Sequence, residues 1–317
     1  MIAAVLAVYA VLATTLLPRA LIRARWSDRA PRLGISLWLA ACASAIASAI
    51  LAAVATAVPA DTIGHGMASV IEACFAMLDN GFDPAAMPIG SWLALLVGAL
   101  IVVWAASGVG TVLVTARRER RRHAEMLRLL GRRYSELDAI VLDYDEPLVY
   151  CLPGRQAEMV ITTAALRSLT PEHVAAVLAH EQAHLRGRHH LLLAVAEGLS
   201  RAFPGLPLFA KAKKEIVRLV ELRADDVAAC HHPRIHIAAA LVSLATGRAP
   251  VFTLGAGGET ALARIRRMLH PAVPLRRREK LAGVAAVGVL LAGPAAVALL
   301  PGLSALIAHH CHNLFLL

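Results

Sequence analysis

The amino-acid sequence predicts a mainly α-helical membrane protein with four transmembrane helices and a cytosolic α+β domain between the third and fourth helices. Three observations carry this prediction. Four stretches of the 317-residue chain lack charged side chains and are long enough to cross a bilayer. Most basic residues lie between the third and fourth of these stretches. Within that interval, short β-branched runs are followed by longer segments with helix start signals.

The composition indicates a membrane protein. Hydrophobic residues make up 58% of the chain, charged residues 17%, and the mean hydropathy is +0.63, whereas soluble domains are about 45–50% apolar and about 25% charged. A purely soluble protein, a disordered chain and a disulfide scaffold are therefore excluded. We interpret the first stretch as a true span, because no basic residue precedes it as in a cleavable signal peptide. The four predicted spans are roughly Ile2–Ile22, which Pro18 and Arg19 interrupt near its end, Leu33–Ala60, Ile89–Ala116 and Leu281–Ala308.

The distribution of lysine and arginine predicts the orientation. Loop 19–32 holds five arginines, loop 61–88 holds no lysine or arginine, and the other 27 of the 32 basic residues lie between Arg117 and Lys280. Basic residues favour the cytosolic side of a membrane, so loop 19–32 is predicted to be cytosolic. Loop 61–88 and both termini are predicted to be external. The predicted organisation is three spans in 1–116, a cytosolic domain in 117–280, and a fourth span with a short external tail in 281–317.

The basic excess of the cytosolic domain is expected to contact the lipid bilayer through anionic headgroups. No zinc knuckle, helix-turn-helix or interleaved aromatic stretch supports direct nucleic-acid binding. The five cysteines show no CxxC spacing, and nothing in the sequence requires a disulfide.

The first part of the cytosolic domain is predicted to form a basic helix over Arg117–Arg133, which extends the third span. Three short runs separated by prolines then predict a small antiparallel sheet. These strands are Ala139–Leu142, Leu148–Leu152 and Glu158–Thr163.

A helix is predicted to start at Thr170, because a capping hydroxyl is followed by Pro171 and by an acidic residue near the positive end of the helix dipole. It extends at least to His184. The later predicted helices are Phe209–Ala229, Ile235–Ala245 and Glu259–Leu269.

The first of these helices carries the motif His180-Glu181-Gln182-Ala183-His184, a match to H-E-x-x-H. Residues four apart project from one face of a helix, so both imidazoles can reach one zinc ion. Glu181 lies beside that face and can act as the catalytic base that takes a proton from zinc-bound water and returns it to the leaving amine. One catalytic Zn²⁺ is therefore predicted.

Two residues compete for the third ligand position. His190 completes the longer string H-E-x-x-H-x-x-G-x-x-H of the metzincins. Glu221 lies on the next predicted long helix, with Asp225 one turn on to accept the free ring N–H of a ligand histidine. We favour Glu221, because the apolar helical pattern continues past Gly187 and no downstream methionine suits a Met-turn. On this interpretation, His189 and His190 are ordinary polar residues near the membrane face, and Asp226 lies on the surface.

The combination of three spans, His180-Glu181-x-x-His184, Glu221 with Asp225, and a fourth span resembles the BlaR/MecR-type antirepressor metallopeptidases. More distantly, it is similar to the HtpX-like and CAAX-prenyl-type membrane gluzincins. The resemblance implies a gluzincin domain in the cytosol of a bacterium, with His180, His184 and Glu221 as zinc ligands, Glu181 as base and Asp225 as a supporting residue. It also implies cleavage of a cytosolic protein, a BlaI/MecI-like winged-helix repressor of β-lactam resistance genes.

One departure from the family concerns the signal. Relatives that sense β-lactams carry an external penicillin-binding domain after the fourth span, whereas about nine residues follow Ala308 here. An external signal is therefore expected to act through loop 61–88, through the spans, or through a partner such as a sensor protein or a second copy of the chain. We interpret the histidines of the tail, His309–His312, as part of an ordinary tail at the membrane interface.

Substrate binding is predicted on the strand before the zinc helix, at Val160, Ile161 and Thr162. Gluzincins commonly add the substrate as an extra strand along such an edge. Candidate donors for the transition-state oxyanion are Arg223, His231 and Tyr150, in no order. Two other functions stay open. They are constitutive quality control of membrane proteins and a non-proteolytic membrane receptor with structural zinc, the latter disfavoured because a structural site needs no base beside its ligands.

Overall fold

The computed structural model describes residues 1–23, 25–57, 88–154, 157–246, 257–270 and 273–314. Residues 61–87 of the predicted external loop lie outside the described residues. The side chains of the histidine tail are not described either.

The spans are formed by helices α1 (Ile2–Thr15), α2 (Leu17–Arg23), α3 (Pro31–Ala57), α4 (Ile89–Leu130) and, at the end of the chain, α11 (Arg277–Leu314). In the described part of the chain, α3, α4 and α11 are each long and apolar enough to cross a membrane. The first predicted span is not one straight helix, because α1 and α2 meet at a bend of 42°. Pro18 lacks a backbone N–H and crowds the preceding turn, which accounts for the break. Four spans result if the bent pair counts as one.

The part of the chain that follows α4 begins with a four-stranded sheet of order β1-β2-β4-β3. Its strands are β1 (Arg132–Tyr134), β2 (Ala139–Leu142), β3 (Val149–Leu152) and β4 (Glu158–Thr162).

Two predictions about this region were wrong. The sheet is mixed rather than antiparallel, because β4 pairs antiparallel with β3 on one side and parallel with β2 on the other. The basic helix also stops before its predicted end, and the next residues form β1. At Gly131, a Cβ would lie 2.2 Å from Cγ2 of Ile140, so the chain turns out of the helix where only glycine fits.

Six helices follow β4 in the described residues before α11. They are α5 (Thr163–Ser168), α6 (Pro171–Arg186), α7 (His189–Ala202), α8 (Pro207–Ala228), α9 (Arg234–Thr246) and α10 (Gly257–Leu269). The predicted start of α6 is confirmed, because the Thr170 hydroxyl accepts a hydrogen bond from the backbone N–H of His173. The predicted positions of α8, α9 and α10 are confirmed to within a few residues.

Helices α7 and α8 form a hairpin that packs against the spans. At the crossing of α7 with α4, a Cβ on Gly198 would lie 2.5 Å from Cα of Val109, so glycine permits close backbone contact there. The Trp104 indole N–H donates to the carbonyl oxygen of Ala202 at the end of α7. The first half of α8 buries Leu208, Phe209, Ala212 and Ile216 in one core with residues of α3. One continuous helix, α8, therefore runs from the apolar helices to the site described next.

Candidate metal centre

The three predicted metal ligands lie together. His180 and His184 project from one face of α6, and their Nε2 atoms are 3.1 Å apart. Each Nε2 atom also lies 3.6 Å from an oxygen of Glu221, which α8 supplies. Two ligands bound at about 2.0–2.1 Å in tetrahedral geometry lie about 3.3 Å apart, so the donor set has the chemistry and the spacing that zinc requires. Among the described residues, this is the group of histidine and acidic side chains that can hold a metal ion.

Asp225 and Arg264 form a charged network behind the ligands. Asp225 has no solvent exposure, and its Oδ1 lies 2.9 Å from Nδ1 of His180. The guanidinium of Arg264 donates to both carboxylate oxygens of Asp225, at 2.8 and 2.7 Å. It also contacts Glu221 at 2.9 Å. Every carboxylate of this network thus has a positive or hydrogen-bonding partner.

The network sets the ionisation of the acidic groups. Burial would raise the pKa of Asp225, but the hydrogen bonds from Arg264 and His180 outweigh burial and lower the pKa to about 2. Burial would likewise raise the pKa of Glu221, but the hydrogen bond from His180 and the charge of Arg264 lower it. Both carboxylates are therefore ionised at neutral pH, as metal coordination and its support require.

The two ligand histidines have opposite pKa shifts in the metal-free protein. Burial lowers the pKa of His180, but hydrogen bonds to Asp225 and Glu221 outweigh it and raise the pKa to about 9. Burial and the neighbouring charge of His180 lower the pKa of His184 to about 4. Zinc binding must therefore displace a proton from His180, since a metal ligand nitrogen carries none.

Glu181 lies on α6 beside the ligands and faces β3. Its Oε2 accepts a hydrogen bond of 3.0 Å from the backbone N–H of Cys151. Burial raises the pKa of Glu181. Burial and the adjacent Glu181 also raise the pKa of the Cys151 thiol, to about 12, so this cysteine is a neutral wall of the site. A carboxyl held by one backbone donor, with its pKa raised, is suited to exchanging a proton near neutral pH.

His189 does not match its interpretation as an ordinary polar residue. His189 is buried, and its Nδ1 lies 3.0 Å from Nδ1 of His184, so it contacts a ligand from behind. The chain changes direction between α6 and α7 at Arg188, which has a φ of 48°. His189 and His190, at the start of α7, therefore lie in different surroundings. His190 faces a different cavity and is not in the ligand group, which settles the choice of third ligand in favour of Glu221.

The predicted substrate strand needs a correction. Val160, Ile161 and Thr162 are fully buried in β4, which pairs with β2 on one side and β3 on the other. A peptide cannot pair with an interior strand. The edge strand beside the site is β3, where the outward N–H of Cys151 already points at Glu181.

A cavity of about 290 Å³ opens beside the ligands; we call it the metal cleft. Apolar side chains from β3, α6 and α9 form much of its wall, namely Val149, Val177, Ile237, Leu241 and Leu244. Its polar wall is formed by His180, Glu181, Glu221 and Arg264.

None of the three predicted oxyanion donors lines the metal cleft among the described residues. The Tyr150 hydroxyl lies 2.7 Å from a ring nitrogen of His123. The exposed His231 contacts the carbonyl oxygen of Val227, and Arg223 lies near His189. The positively charged side chain that lines the cleft is Arg264, which was not predicted from the sequence. A sequence signal existed, since Arg264 shares the apolar face of its helix with Ala261 and Met268.

Comparison with known proteins agrees with this geometry. Residues 115–242 match the family model of peptidase family M48, and the match includes α6 and α8 with all three metal ligands. No solved structure matches the chain. Residues 115–242 thus form a zinc metallopeptidase domain of peptidase family M48, with His180, His184 and Glu221 as its metal site.

Proposed function

We propose that this protein is a zinc endopeptidase of the bacterial cytoplasmic membrane that cleaves a cytosolic regulatory protein in response to a signal. Its domain 117–280 faces the cytosol, and both termini are external. The observation that carries the proposal is the group of His180, His184 and Glu221 beside Glu181, at the end of a helix that is packed against the spans. The distribution of arginine and lysine supports the orientation.

In the proposed mechanism, zinc held by His180, His184 and Glu221 supplies Lewis acidity toward the scissile carbonyl and toward a water molecule. Glu181 accepts the proton of the attacking water on the carboxylate that the Cys151 N–H orients, and then donates it to the leaving amine. Asp225 holds the ring of His180 in position, and Arg264 holds Asp225 and Glu221.

The substrate is proposed to bind as an extended strand along β3 rather than β4. Side chains and backbone groups alternate along a strand, so Val149 has its backbone N–H and C=O on the same outward side as the Cys151 N–H. A peptide that pairs with Val149 places its next residues beside Glu181. The apolar wall of the metal cleft then favours an aliphatic side chain next to the cleaved bond.

A repressor similar to BlaI or MecI is the proposed substrate, on the basis of the resemblance to the BlaR/MecR antirepressors. Helix α8 supports signal responsiveness, because Leu219 lies against Gly34 of α3 while Glu221 follows two residues later. A shift of α3 in the membrane would therefore move a metal ligand directly.

Quality control of membrane proteins is the second candidate. The observation in its favour is the α7–α8 hairpin, which brings the domain into contact with α3 and α4. The receptor function is not supported, because the domain belongs to a peptidase family.

The test compares protein N-termini across whole cells that carry the wild type or Glu181→Gln. We expect new termini confined to a cytosolic repressor in the wild type only. Termini spread over many membrane proteins would instead establish the second candidate. In a second assay, purified repressor is mixed with the zinc-loaded wild type under a stimulus that triggers cleavage in cells. A repressor that stays intact would contradict direct proteolysis.

A further inference from the structure

A second and larger cavity lies between α4, the residues Leu152–Gly154 at the end of β3, and the turn between α6 and α7. It encloses about 1160 Å³. Five arginines and two glutamates line it, so its charge is strongly positive. We call this cavity the basic groove; its arginines are Arg117, Arg120, Arg121, Arg128 and Arg188.

Four of the five arginines of the groove have no carboxylate partner among the described residues. Arg117, Arg120, Arg121 and Arg188 form no ion pair with a carboxylate in the described part of the chain. The guanidinium groups of these four arginines therefore offer an anion several donors that no carboxylate of the described residues occupies.

The groove lies at the level of the lipid headgroups. Arg117 is the first charged residue after the uncharged stretch that starts at Ile89. The opposite wall begins at His190, which packs near Arg120, while Gly198 further along α7 meets Val109 inside the span. The groove therefore starts where the apolar part of α4 ends.

The wall of the groove is also apolar in part, at Ala124, Leu152, Leu185 and Leu191. The side chain of Leu191 is 39% exposed and lies at the proposed membrane face. A small soluble anion uses only the arginines, whereas a phospholipid also covers the leucines with its glycerol and upper acyl chain.

We propose that the basic groove binds the phosphate-bearing headgroup of an anionic phospholipid from the cytosolic leaflet. Arg120 and Arg188 from opposite walls hold the phosphate, and Leu185 and Leu191 contact the apolar part of the lipid. The proposal depends on the membrane location of the protein and not on its catalytic activity.

The test is native mass spectrometry of the full-length protein released from detergent, with added phosphatidylglycerol or phosphatidylcholine. We expect phosphatidylglycerol to be retained and phosphatidylcholine to be lost. Two arginines near a lipid phosphate together change affinity by about tenfold or more, so Arg120→Gln/Arg188→Gln should weaken phosphatidylglycerol binding by that factor.

The matched control is Arg118→Gln/Arg122→Gln, which removes the same total charge through two arginines of α4 that flank Arg120 but lie outside the groove lining. It should change binding less than about twofold. An equal loss in both double variants would overturn the proposal in favour of unspecific surface attraction, and so would no loss in either. Displacement of phosphatidylglycerol by excess inorganic phosphate would also overturn it, because the groove would then be a site for a soluble anion.

Zinc content measured on every variant shows whether the domain has folded. If Arg120→Gln/Arg188→Gln lacks zinc, the exposed pair Arg117→Gln/Arg121→Gln replaces it, with the same expected loss of phosphatidylglycerol and the same contradicting results.

Discussion

The metal cleft lies beside the middle of α6 and the basic groove at its C-terminal end, and the charged residues of the two cavities are partnered differently. In the metal cleft, Arg264 is paired with Glu221 and Asp225, and Asp225 is completely buried. In the basic groove, Arg117, Arg121 and Arg188 are exposed and have no carboxylate partner in the described residues. A buried charge needs an internal partner, whereas water or a headgroup can satisfy an exposed charge. Single substitutions should therefore have large effects in the cleft and small effects in the groove.

The largest effect is expected for Glu181→Gln. Loss of a positioned proton acceptor should lower kcat by about 10²–10⁴-fold while zinc content stays at one ion per chain. Cleavage of an internally quenched peptide and metal analysis of the same sample measure both quantities. The control is Glu125→Gln, which alters an exposed carboxylate of the basic groove and should leave kcat unchanged. Activity within tenfold of the wild type in Glu181→Gln would remove this residue from the mechanism.

The second prediction concerns Arg264→Gln. Without the guanidinium, Asp225 and Glu221 keep their charges in a buried site, which should cost about 3–5 kcal/mol in the metal-free protein. Zinc replaces the missing positive charge, so the rise in Tm on adding zinc should be larger in the variant than in the wild type.

Arg267→Gln is the matched control for this prediction. Arg267 lies on the same helix and pairs with Asp226 at 2.6 Å, away from the metal ligands. Its loss should lower Tm with and without zinc by the same amount. An equal zinc response in both variants would mean that Arg264 does not balance the charge of the site.

Asp225→Asn tests the same network through pH. The pKa of Asp225 is lowered to about 2 in the folded protein, from about 4 in an unfolded chain. A carboxyl group whose pKa is lower in the folded protein than in the unfolded chain stabilises the fold at any pH above its unfolded pKa. That stabilisation is lost as the pH falls through the pKa of the folded state. The contribution is about 2 kcal/mol. The Tm difference between metal-free wild type and variant should therefore stay constant between pH 5 and pH 6, below the range in which His180 titrates, and shrink toward pH 2. A difference that does not vary between pH 6 and pH 3 would contradict the ionised state of Asp225.

The ligand set could be predicted from the sequence because it depends on helix periodicity alone. His180 and His184 share a face of α6 by their spacing, and the pair Glu221 and Asp225 repeats that spacing on α8. Which side chains close the network from other elements could not be predicted. Arg264 is far along the chain from Glu221, and His189 reaches His184 only because Arg188 adopts a left-handed conformation.

The sheet shows a different limit. All three predicted strands exist, but their order does not follow from their sequences, since β3 and β4 are equally short and apolar. The hairpin between them could place either strand at the edge. The interior position of β4 follows from its parallel pairing with β2, a long-range contact that no local pattern encodes.

The smallest effect is expected at the edge strand itself. Val149→Pro removes an N–H that faces away from β4, so the sheet should keep its ladder. A substrate paired with β3 would lose one hydrogen bond, worth about 0.5–1.5 kcal/mol, and kcat/KM should fall by roughly two- to tenfold with zinc content unchanged. Ile161→Pro makes the same change in β4, between Val141 and Val149, and should instead unfold the domain and abolish zinc binding. If Ile161→Pro retains zinc and loses only peptide cleavage while Val149→Pro is fully active, then substrate binds at β4 and the assignment to β3 is wrong.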